Sequence, residues 1–472
     1  MGKLTIPRSL IPGAELMRAA ETTRKPVDTT TRQACGLFLP VGAPNLGSKG
    51  PSIGHELHSG RGFYFDPFVS YGQSQPAPHI MSMGSSGRAK SSLTKTYVLR
   101  SLTMRDRAFV VLDAQGDDGK ENGEWVHIAE ALDITPIRLD PGGPDKATSP
   151  TINPLDPVIP IGRSKELLHA MISELAGELL GGNELFAVDV ALDRAVATAK
   201  GERRVPVLED VLNALTNPEA AYLGQRLCTP GELLAWGEGP SFDLHRLCTG
   251  DLGGAFNGPT SGGIDLSGRL VIFDLSQIDN KSIGLPLVMA VVGTWISYAW
   301  VRADGVKRML IVEEAWHLIS RTSIAALLQE LLKYGRRLGL SLWFVIHHLA
   351  DLEEAESAAA KEVLKQTDTQ IVFGMKHGEA YGREGTVGTC DRLGMPKWAK
   401  DIVGNGSKMG RGRAVWLTAG RWIWVQHAVT EIEWELVQTD RGMATTDSEL
   451  SAATDNVIAL DGPLARRMMR GQ

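Results

Sequence analysis

Residues 84–91 read Gly84-Ser85-Ser86-Gly87-Arg88-Ala89-Lys90-Ser91. A short apolar run, His79 to Met83, precedes them, and a helical pattern, Ser92 to Leu102, follows. A strand, a glycine-rich turn and a helix in that order are the setting in which the pattern GxxxxGK[ST] acquires its chemistry. Small residues let backbone N–H groups wrap phosphate oxygens, and the helix N-terminus adds a partial positive charge. Lys90 is long enough to reach terminal phosphates, and the Ser91 hydroxyl is placed to ligate Mg²⁺. The candidate nucleotide-binding set is Gly84, Ser85, Ser86, Gly87, Arg88, Ala89, Lys90, Ser91 and Ser92. One residue departs from the pattern: Ala89 stands where a second glycine is expected. A positive φ there would cost about 1 kcal/mol. The competing reading is a Gly/Ser turn that caps an ordinary helix.

Downstream, Arg308-Met309-Leu310-Ile311-Val312 is an apolar strand that ends in two carboxylates, Glu313 and Glu314. Hydrolysis of a nucleotide needs such a pair. The first acid holds Mg²⁺, and the second accepts a proton from the attacking water. Glu313 is thus the metal candidate with Ser91, and Glu314 the catalytic one. Acids at a solvated helix start are the alternative. Lys333-Tyr334-Gly335-Arg336-Arg337 precedes the next strand, LSLWFVI (340–346). Arg337 or Arg336 is the candidate to reach a neighbouring subunit's γ-phosphate; a pair of solvated arginines at a helix end is the alternative. The strand ends at His347-His348, where a side chain can position water or sense phosphate. Adjacent strand residues point to opposite faces, which argues against a His–His metal site.

Around these motifs, short apolar runs alternate with helical patterns, as in an α/β fold with a mostly parallel sheet. Expected strands are 62–65, 79–83, 108–112, 134–139, 270–273, 308–312, 340–346, 370–373, 414–417 and 422–426. Asp113, Asp274 and Glu313 follow three of them, and His347 a fourth, at the edge where open α/β sheets bind ligands. Asp66, Asp113 and Asp274 have a simpler role open to them, capping the loops that follow. The alternation stops between about 157 and 260, where 163–180, 185–199 and 208–215 look helical. The expected organisation is an arm (1–34), a first core half (35–156), a mostly helical insertion (157–260), a second core half (261–440) and a mobile tail (441–472). Residues 35 to about 60 are rich in Gly and Pro and are expected to be loops.

The 472 residues carry 43% hydrophobic and 22% charged side chains, ordinary globular values. A net charge of -6 excludes global basic character, so any contact with DNA must be local or made by several subunits. The cysteines Cys35, Cys228, Cys248 and Cys390 form no CxxC pair, which argues against zinc and disulfide frameworks and for a cytoplasmic setting. The start, MGKLTIPRSLIPG, has prolines where the apolar core of a secretory signal would run. Leu285 to Val301 is apolar but short for a membrane span and carries Thr294, Ser297 and Tyr298; a core helix is expected.

The order of segments is distinctive: GRGFYFDPF (60–68), the glycine-rich loop, VVLDAQGD (110–117), TINPLDP (151–157), VIFDLSQIDN (271–280), LIVEEAWHLI (310–319), KYGRRLGLSLWFVI (333–346) and QIVFGM (370–375). Over residues 52–440 this resembles the ATPases of type IV secretion and conjugative transfer, the VirB-four/TraC group of the HerA–FtsK superfamily of P-loop NTPases. The resemblance implies a RecA-like core with an α-helical insertion, ATP and Mg²⁺ as ligands, and assembly into a ring, often a hexamer. It also implies docking on other channel components at the cytoplasmic face of a membrane, with DNA as a possible substrate. By position, Lys90 and Ser91 match the family's nucleotide loop, Glu313 and Glu314 its acidic pair, and Arg337 its arginine region. Ala89 for Gly, Glu313 for Asp, and His347-His348 for a Thr-Gln type pair are departures that bear on hydrolysis rate more than on fold. A nucleotide-binding scaffold with weak turnover, and a HerA-like DNA translocase outside secretion, are the alternative functions. Longer members place a large domain before the motor, so contacts with channel components are expected to differ.

Overall fold

The buried apolar runs of the sequence become strands of one sheet, because both faces of that sheet are covered. RAFVVLD, LVIFD and LSLWFVI are buried along their whole length. Continuous burial of β-branched and aromatic residues is the mark of a parallel strand packed between layers. The computed structural model describes residues 47, 49–115, 123–139, 149–218, 228–250, 252–262, 264–279, 282–300, 304–347, 358–382 and 387–438. The arm (1–34), the tail (441–472) and His348 lie outside the described residues.

The strands are β1 (Ser52–Glu56), β2 (Gly62–Tyr64), β3 (Ile80–Met83), β4 (Arg107–Asp113), β5 (Ile137–Arg138), β6 (Leu270–Asp274), β7 (Lys307–Val312), β8 (Leu340–Ile346), β9 (Thr369–Phe373), β10 (Arg413–Thr418) and β11 (Arg421–His427). They form an 11-stranded sheet in the order β2-β1-β11-β10-β9-β3-β8-β7-β4-β6-β5. From β9 to β5 every neighbouring pair is parallel. From β9 to β2 every pair is antiparallel. The β10–β11 hairpin closes through Ala419 and Gly420, both with positive φ (51° and 70°), the two-residue turn whose twist suits a hairpin.

The labelled helices are α1 (Lys90–Ser101), α2 (Ile161–Ala176), α3 (Gly182–Gly201), α4 (Leu208–Thr216), α5 (Pro230–Thr249), α6 (Gly284–Ala299), α7 (Thr322–Leu338) and α8 (Glu431–Val437). The chain leaves the sheet at β5 and returns at β6, and α2 to α5 lie in that interval. Their apolar faces join the main core through Leu167, Leu168, Val188, Leu192 and Leu244. This is the RecA-like mixed α/β architecture with an inserted helical subdomain that the resemblance implies.

Two segments differ from expectation. Ser52–Glu56 is a strand inside a stretch expected to be loops; it is held by antiparallel pairing to β11 and β2 rather than by its own composition. Within the expected helical insertion, the segment after 229 forms the 20-residue helix α5 in spite of Pro240 inside it. A side chain at Gly237 would meet Leu215 of α4 at 2.9 Å, so this glycine serves close helix packing. Thr229 caps the helix and Pro230 opens it, both start signals. The expected strand 134–139 is shorter than predicted, only Ile137–Arg138.

The apolar helix α6 is a core helix, buried from Gly284 to Gly293 and again from Trp295 to Ser297. Trp295 Nε1 donates to Asp156 Oδ2 at 3.1 Å, so the INPLDP segment anchors it. Asn153 of that segment donates to the Pro206 carbonyl at 2.8 Å and accepts from the Leu155 amide at 3.0 Å. No helix among the described residues is long and apolar enough to cross a membrane.

Candidate active site

The site lies at the carboxyl edge of β3, β8, β7 and β4, adjacent in that order. The loop between β3 and α1 carries positive φ at Gly84 (146°), Gly87 (73°) and Ala89 (72°). A chain that passes through the left-handed region at Gly87 and Ala89 curves its N–H groups into an anion-binding nest. Ala89 therefore takes the glycine conformation despite its Cβ. Gly84 is fixed by space as well, since a Cβ there would meet Phe373 Cβ at 2.6 Å. The Gly84 amide donates to the His347 carbonyl at 3.2 Å and the Ser85 amide to the Gly374 carbonyl at 3.3 Å, which ties the loop to the ends of β8 and β9.

Lys90 is 5% exposed. Its ammonium donates to the Gly84 carbonyl at 2.6 Å, the Ser85 carbonyl at 3.2 Å and His347 Nδ1 at 3.1 Å. Burial lowers its pKa to about 8, against the pull of Glu314, Glu313 and Glu124. An ammonium only donates, so Nδ1 of His347 accepts and Nε2 carries the proton. His347 Nε2 then donates to Glu314 Oε1 at 2.6 Å. The other carboxylate oxygen of Glu314 accepts from Trp316 Nε1 at 2.7 Å. Burial pushes the Glu314 pKa up, but His347, Trp316 and Lys90 outweigh it and hold the carboxyl below its ordinary range.

Glu314 has φ 53°, left-handed backbone in a residue with a side chain. Such backbone costs on the order of 1 kcal/mol or more and collects at functional sites. Here it breaks the strand alternation directly after β7, and Glu314 meets His347 while its neighbour meets α1. That neighbour, Glu313, is 2% exposed. Its Oε1 lies 3.3 Å from Thr94 Oγ1, whose single proton is shared between that carboxylate and the Ser91 carbonyl at 3.0 Å. Thr94 so links Glu313 to the backbone of Ser91. Burial, then the nearby Glu124 carboxylate, raise the Glu313 pKa to about 7.

A further set of charges backs the pair. Lys95, fully buried, bonds Glu124 Oε2 at 3.2 Å. Asp113 ends β4, accepts from the Trp125 amide at 2.9 Å, and has its pKa raised well above the carboxylate range by burial and Glu124. Asp274 accepts from the Ser276 amide at 3.0 Å and pairs with Arg138 at 3.1 Å. Asp66 caps the short helix 67–70 and pairs with Arg107. All three aspartates take up loop, cap or ion-pair roles.

The structure thus brings together Lys90, His347 and Glu314 directly, and Glu313 with the backbone of Ser91 through Thr94. Arg337 lies in α7, but its side chain and that of Arg336 are outside the described residues. Sequence reasoning missed Thr94, Trp316, Lys95 and Glu379, whose carboxylate accepts from Ser85 Oγ at 3.3 Å. Trp316 and Thr94 had a signal in spacing: one stands two residues after the catalytic candidate, the other a helical turn after Lys90. Glu379 had none.

Known proteins share the fold that holds these residues. Residues 260–381, which hold both glutamates and His347, match the family model of the TraG P-loop domain. VirB4 of Thermoanaerobacter pseudethanolicus superposes with a TM-score of 0.64 at 18% identity, over 83% of this chain and 99% of that one. The fold is the RecA-like architecture of P-loop NTPases. The bacterial conjugative coupling protein TrwBdeltaN70 shares that P-loop fold at a TM-score of 0.51 and 12% identity, over 82% of this chain and 90% of that one. Plasmid coupling protein TrwB in complex with the ATP analogue ADPNP does so at 0.50 and 12%, over 83% and 96%. No curated protein matches the chain in a sequence search.

The residues of the P-loop site fit ATP and Mg²⁺. The loop backbone takes positive φ at three positions, a buried lysine follows it, and a buried carboxylate meets the first turns of the helix through Thr94. A divalent cation is also what would keep Glu313 ionised near neutral pH.

Proposed function

We propose that this protein is an ATP-hydrolysing motor of a conjugative DNA transfer or type IV secretion system. One observation carries the catalytic part: the hydrogen-bonded chain from Lys90 through His347 to Glu314, at the sheet edge where P-loop enzymes hold phosphates. The loop 84–92 binds the ATP phosphates, and Lys90 meets their terminal oxygens. Ser91 and Glu313 hold Mg²⁺, which would neutralise charge on the β- and γ-phosphates. Glu314, kept anionic by its two donors, takes the proton of the attacking water. His347 orients that carboxylate. Arg337 is assigned to the neighbouring subunit's γ-phosphate in a homo-oligomeric ring, plausibly a hexamer.

The secretion assignment rests on the fold it shares with VirB4 and TrwB and on the TraG P-loop match. It carries with it docking on other channel components at the cytoplasmic face of a membrane, and DNA as the candidate cargo. The test is steady-state ATP hydrolysis with Mg²⁺, with and without single-stranded DNA, for wild type and Lys90→Ala. Turnover that vanishes in the variant supports the motor. A wild type that binds ATP without turnover favours a nucleotide-binding scaffold instead.

A further inference from the structure

A triphosphate in this site has a direction. Lys90, His347 and Glu314 gather at the ends of β3, β8 and β7, so the γ-phosphate belongs on that side of the loop. The nucleoside then lies on the other side, toward β9, β10 and β11. Among the described residues, two segments meet the loop there. One follows β9 and meets the loop at its start, where Ser85 Oγ donates to Glu379 at 3.3 Å; a carboxylate repels phosphate and offers no face to a base. The other is Gly410-Arg411-Gly412-Arg413, which leads into β10. It meets the loop near its end, where the Gly412 amide donates to the Arg88 carbonyl at 3.4 Å. Gly410 and Gly412 have φ of 84° and 74°, and Arg411 between them is exposed. Arg413 bonds Gln426 Oε1 at 2.7 Å, within the sheet. The Arg411 guanidinium lies instead over the Trp434 ring of α8, 5.2 Å from its centroid.

A planar guanidinium seated on an indole is half of a sandwich, because its other face can carry a second π system. Stacking reads the area of that π system and not its hydrogen-bonding edge, so it favours purines over pyrimidines and treats adenine and guanine alike. We propose that residues 410–413 form the nucleoside subsite: the purine base stacks on Arg411, which Trp434 backs. This rests on the ATPase reading above and adds what selects its substrate, a purine nucleoside triphosphate. Gly412 keeps the stack beside the phosphate loop. Its amide ties the segment to Arg88, and a side chain there would need left-handed backbone and would come within 3.4 Å of Gln426 Nε2.

The test is direct binding of the Mg²⁺ complexes of ATP, GTP, UTP and tripolyphosphate to the full chain, as wild type, Arg411→Ala and Arg411→Lys. Tripolyphosphate carries the phosphates without the nucleoside. Arg411→Ala is expected to lower ATP affinity by about tenfold, the scale of one stacked base. Its affinity for tripolyphosphate is expected to change by less than about threefold, since an exposed charge away from the phosphates is screened. Lysine keeps the charge and loses the planar face, so Arg411→Lys is expected to lose ATP affinity by about fivefold or more. In wild type, GTP is expected to bind within about threefold of ATP, and UTP about fivefold more weakly. Equal losses for ATP and tripolyphosphate in Arg411→Ala, full ATP affinity in Arg411→Lys, or UTP bound as tightly as ATP overturns the proposal. A wild type that binds ATP no better than tripolyphosphate overturns it too and leaves the ATPase reading standing, whereas one that binds neither ends both. ATP binding without turnover ends the ATPase reading alone, and the binding series still decides the subsite.

Discussion

His347 Nε2 lies 2.6 Å from Glu314 Oε1, a bond that joins the end of β8 to the end of the adjacent strand β7. It fixes the one carboxylate whose backbone departs from the strand, and it directs the protonated nitrogen of the ring at the base. Removing the charge while keeping the shape isolates the chemical role of Glu314. Glu314→Gln is expected to bind ATP within about threefold of wild type and to lose turnover by 10²-fold or more, the order typical of a lost general base. Parallel binding and hydrolysis assays check this. Comparable loss of binding would mean that Glu314 holds the loop rather than the water.

Ala89 occupies the left-handed region at φ 72°, where a Cβ costs about 1 kcal/mol. Ala89→Gly is therefore expected to raise stability by up to about 1 kcal/mol, partly offset by the greater freedom of glycine in the unfolded chain. Denaturant unfolding measures it. Nucleotide affinity is expected to hold or improve. A destabilised variant would mean that the methyl group makes a packing contribution larger than the backbone strain.

The fold was legible because its strands are continuous apolar runs and its helices carry ordinary start signals. The strand ends Asp113, Asp274, Glu313 and His347 could be placed on one edge from the sequence alone. What stayed hidden depends on tertiary pairing. β1 has a composition like a loop and is a strand because β11 and β2 supply its partners. The helix α5 has glycine and proline that argue against it locally, and packing on α4 reverses that argument. In the site, a list of residue types could name Lys90, His347 and Glu314 but not their sequence of bonds, which depends on the turn at Glu314. Trp316 stands two residues beyond Glu314, a spacing that brings its indole to the carboxylate once the backbone curls at Glu314.

Glu313 carries a pH signature. Its carboxyl is raised to about 7, chiefly by burial, against an ordinary value of 4.5. Between those limits the folded chain holds a proton that the unfolded chain has lost. The stabilising contribution is thus complete below about 4.5 and is lost as pH rises through about 7. Without divalent cation, thermal stability is expected to fall from pH 5.5 to pH 8 more in wild type than in Glu313→Gln, by about 1–3 kcal/mol. Mg²⁺–nucleotide binding is expected to release protons near pH 7, since the cation requires the carboxylate. Calorimetry in buffers of different ionisation enthalpy reads that release; equal heats in all buffers would show that Glu313 is already ionised.

Trp316 gives a prediction that separates orientation from binding. Its indole N–H holds Glu314 Oε2 at 2.7 Å while the ring stacks on His317 at 3.7 Å between centroids. Phenylalanine keeps a ring for the stack and removes only the donor. Trp316→Phe is expected to lower turnover by about tenfold, the scale of one hydrogen bond to a charged group, with nucleotide affinity unchanged. A fall in affinity instead would point to damage of the loop through Lys90.

The last prediction concerns the pair that supports the phosphate-loop helix from behind. Arg107 at the start of β4 is 5% exposed and bonds Asp66, itself 2% exposed, and Phe65 packs on Tyr97 of α1 beside them. A buried ion pair contributes little net stability compared with apolar residues, but losing one partner is costly, and without Asp66 the buried Arg107 keeps only the exposed Asp106 at 2.6 Å as counter-ion. Asp66→Ala removes that partner and also the acceptor that caps residues 67–70 through the Phe68 amide at 2.9 Å. It is expected to cost about 3–5 kcal/mol. Adding Arg107→Met to Asp66→Ala removes the guanidinium left with Asp106 alone and is expected to recover part of that loss, even though it deletes a second native side chain. A double-mutant cycle in denaturant unfolding measures both steps. If the double variant is less stable than Asp66→Ala alone, the Arg107 stem, its pairing with Asp106 and its stacking on Phe68 at 5.2 Å contribute more than its buried charge costs.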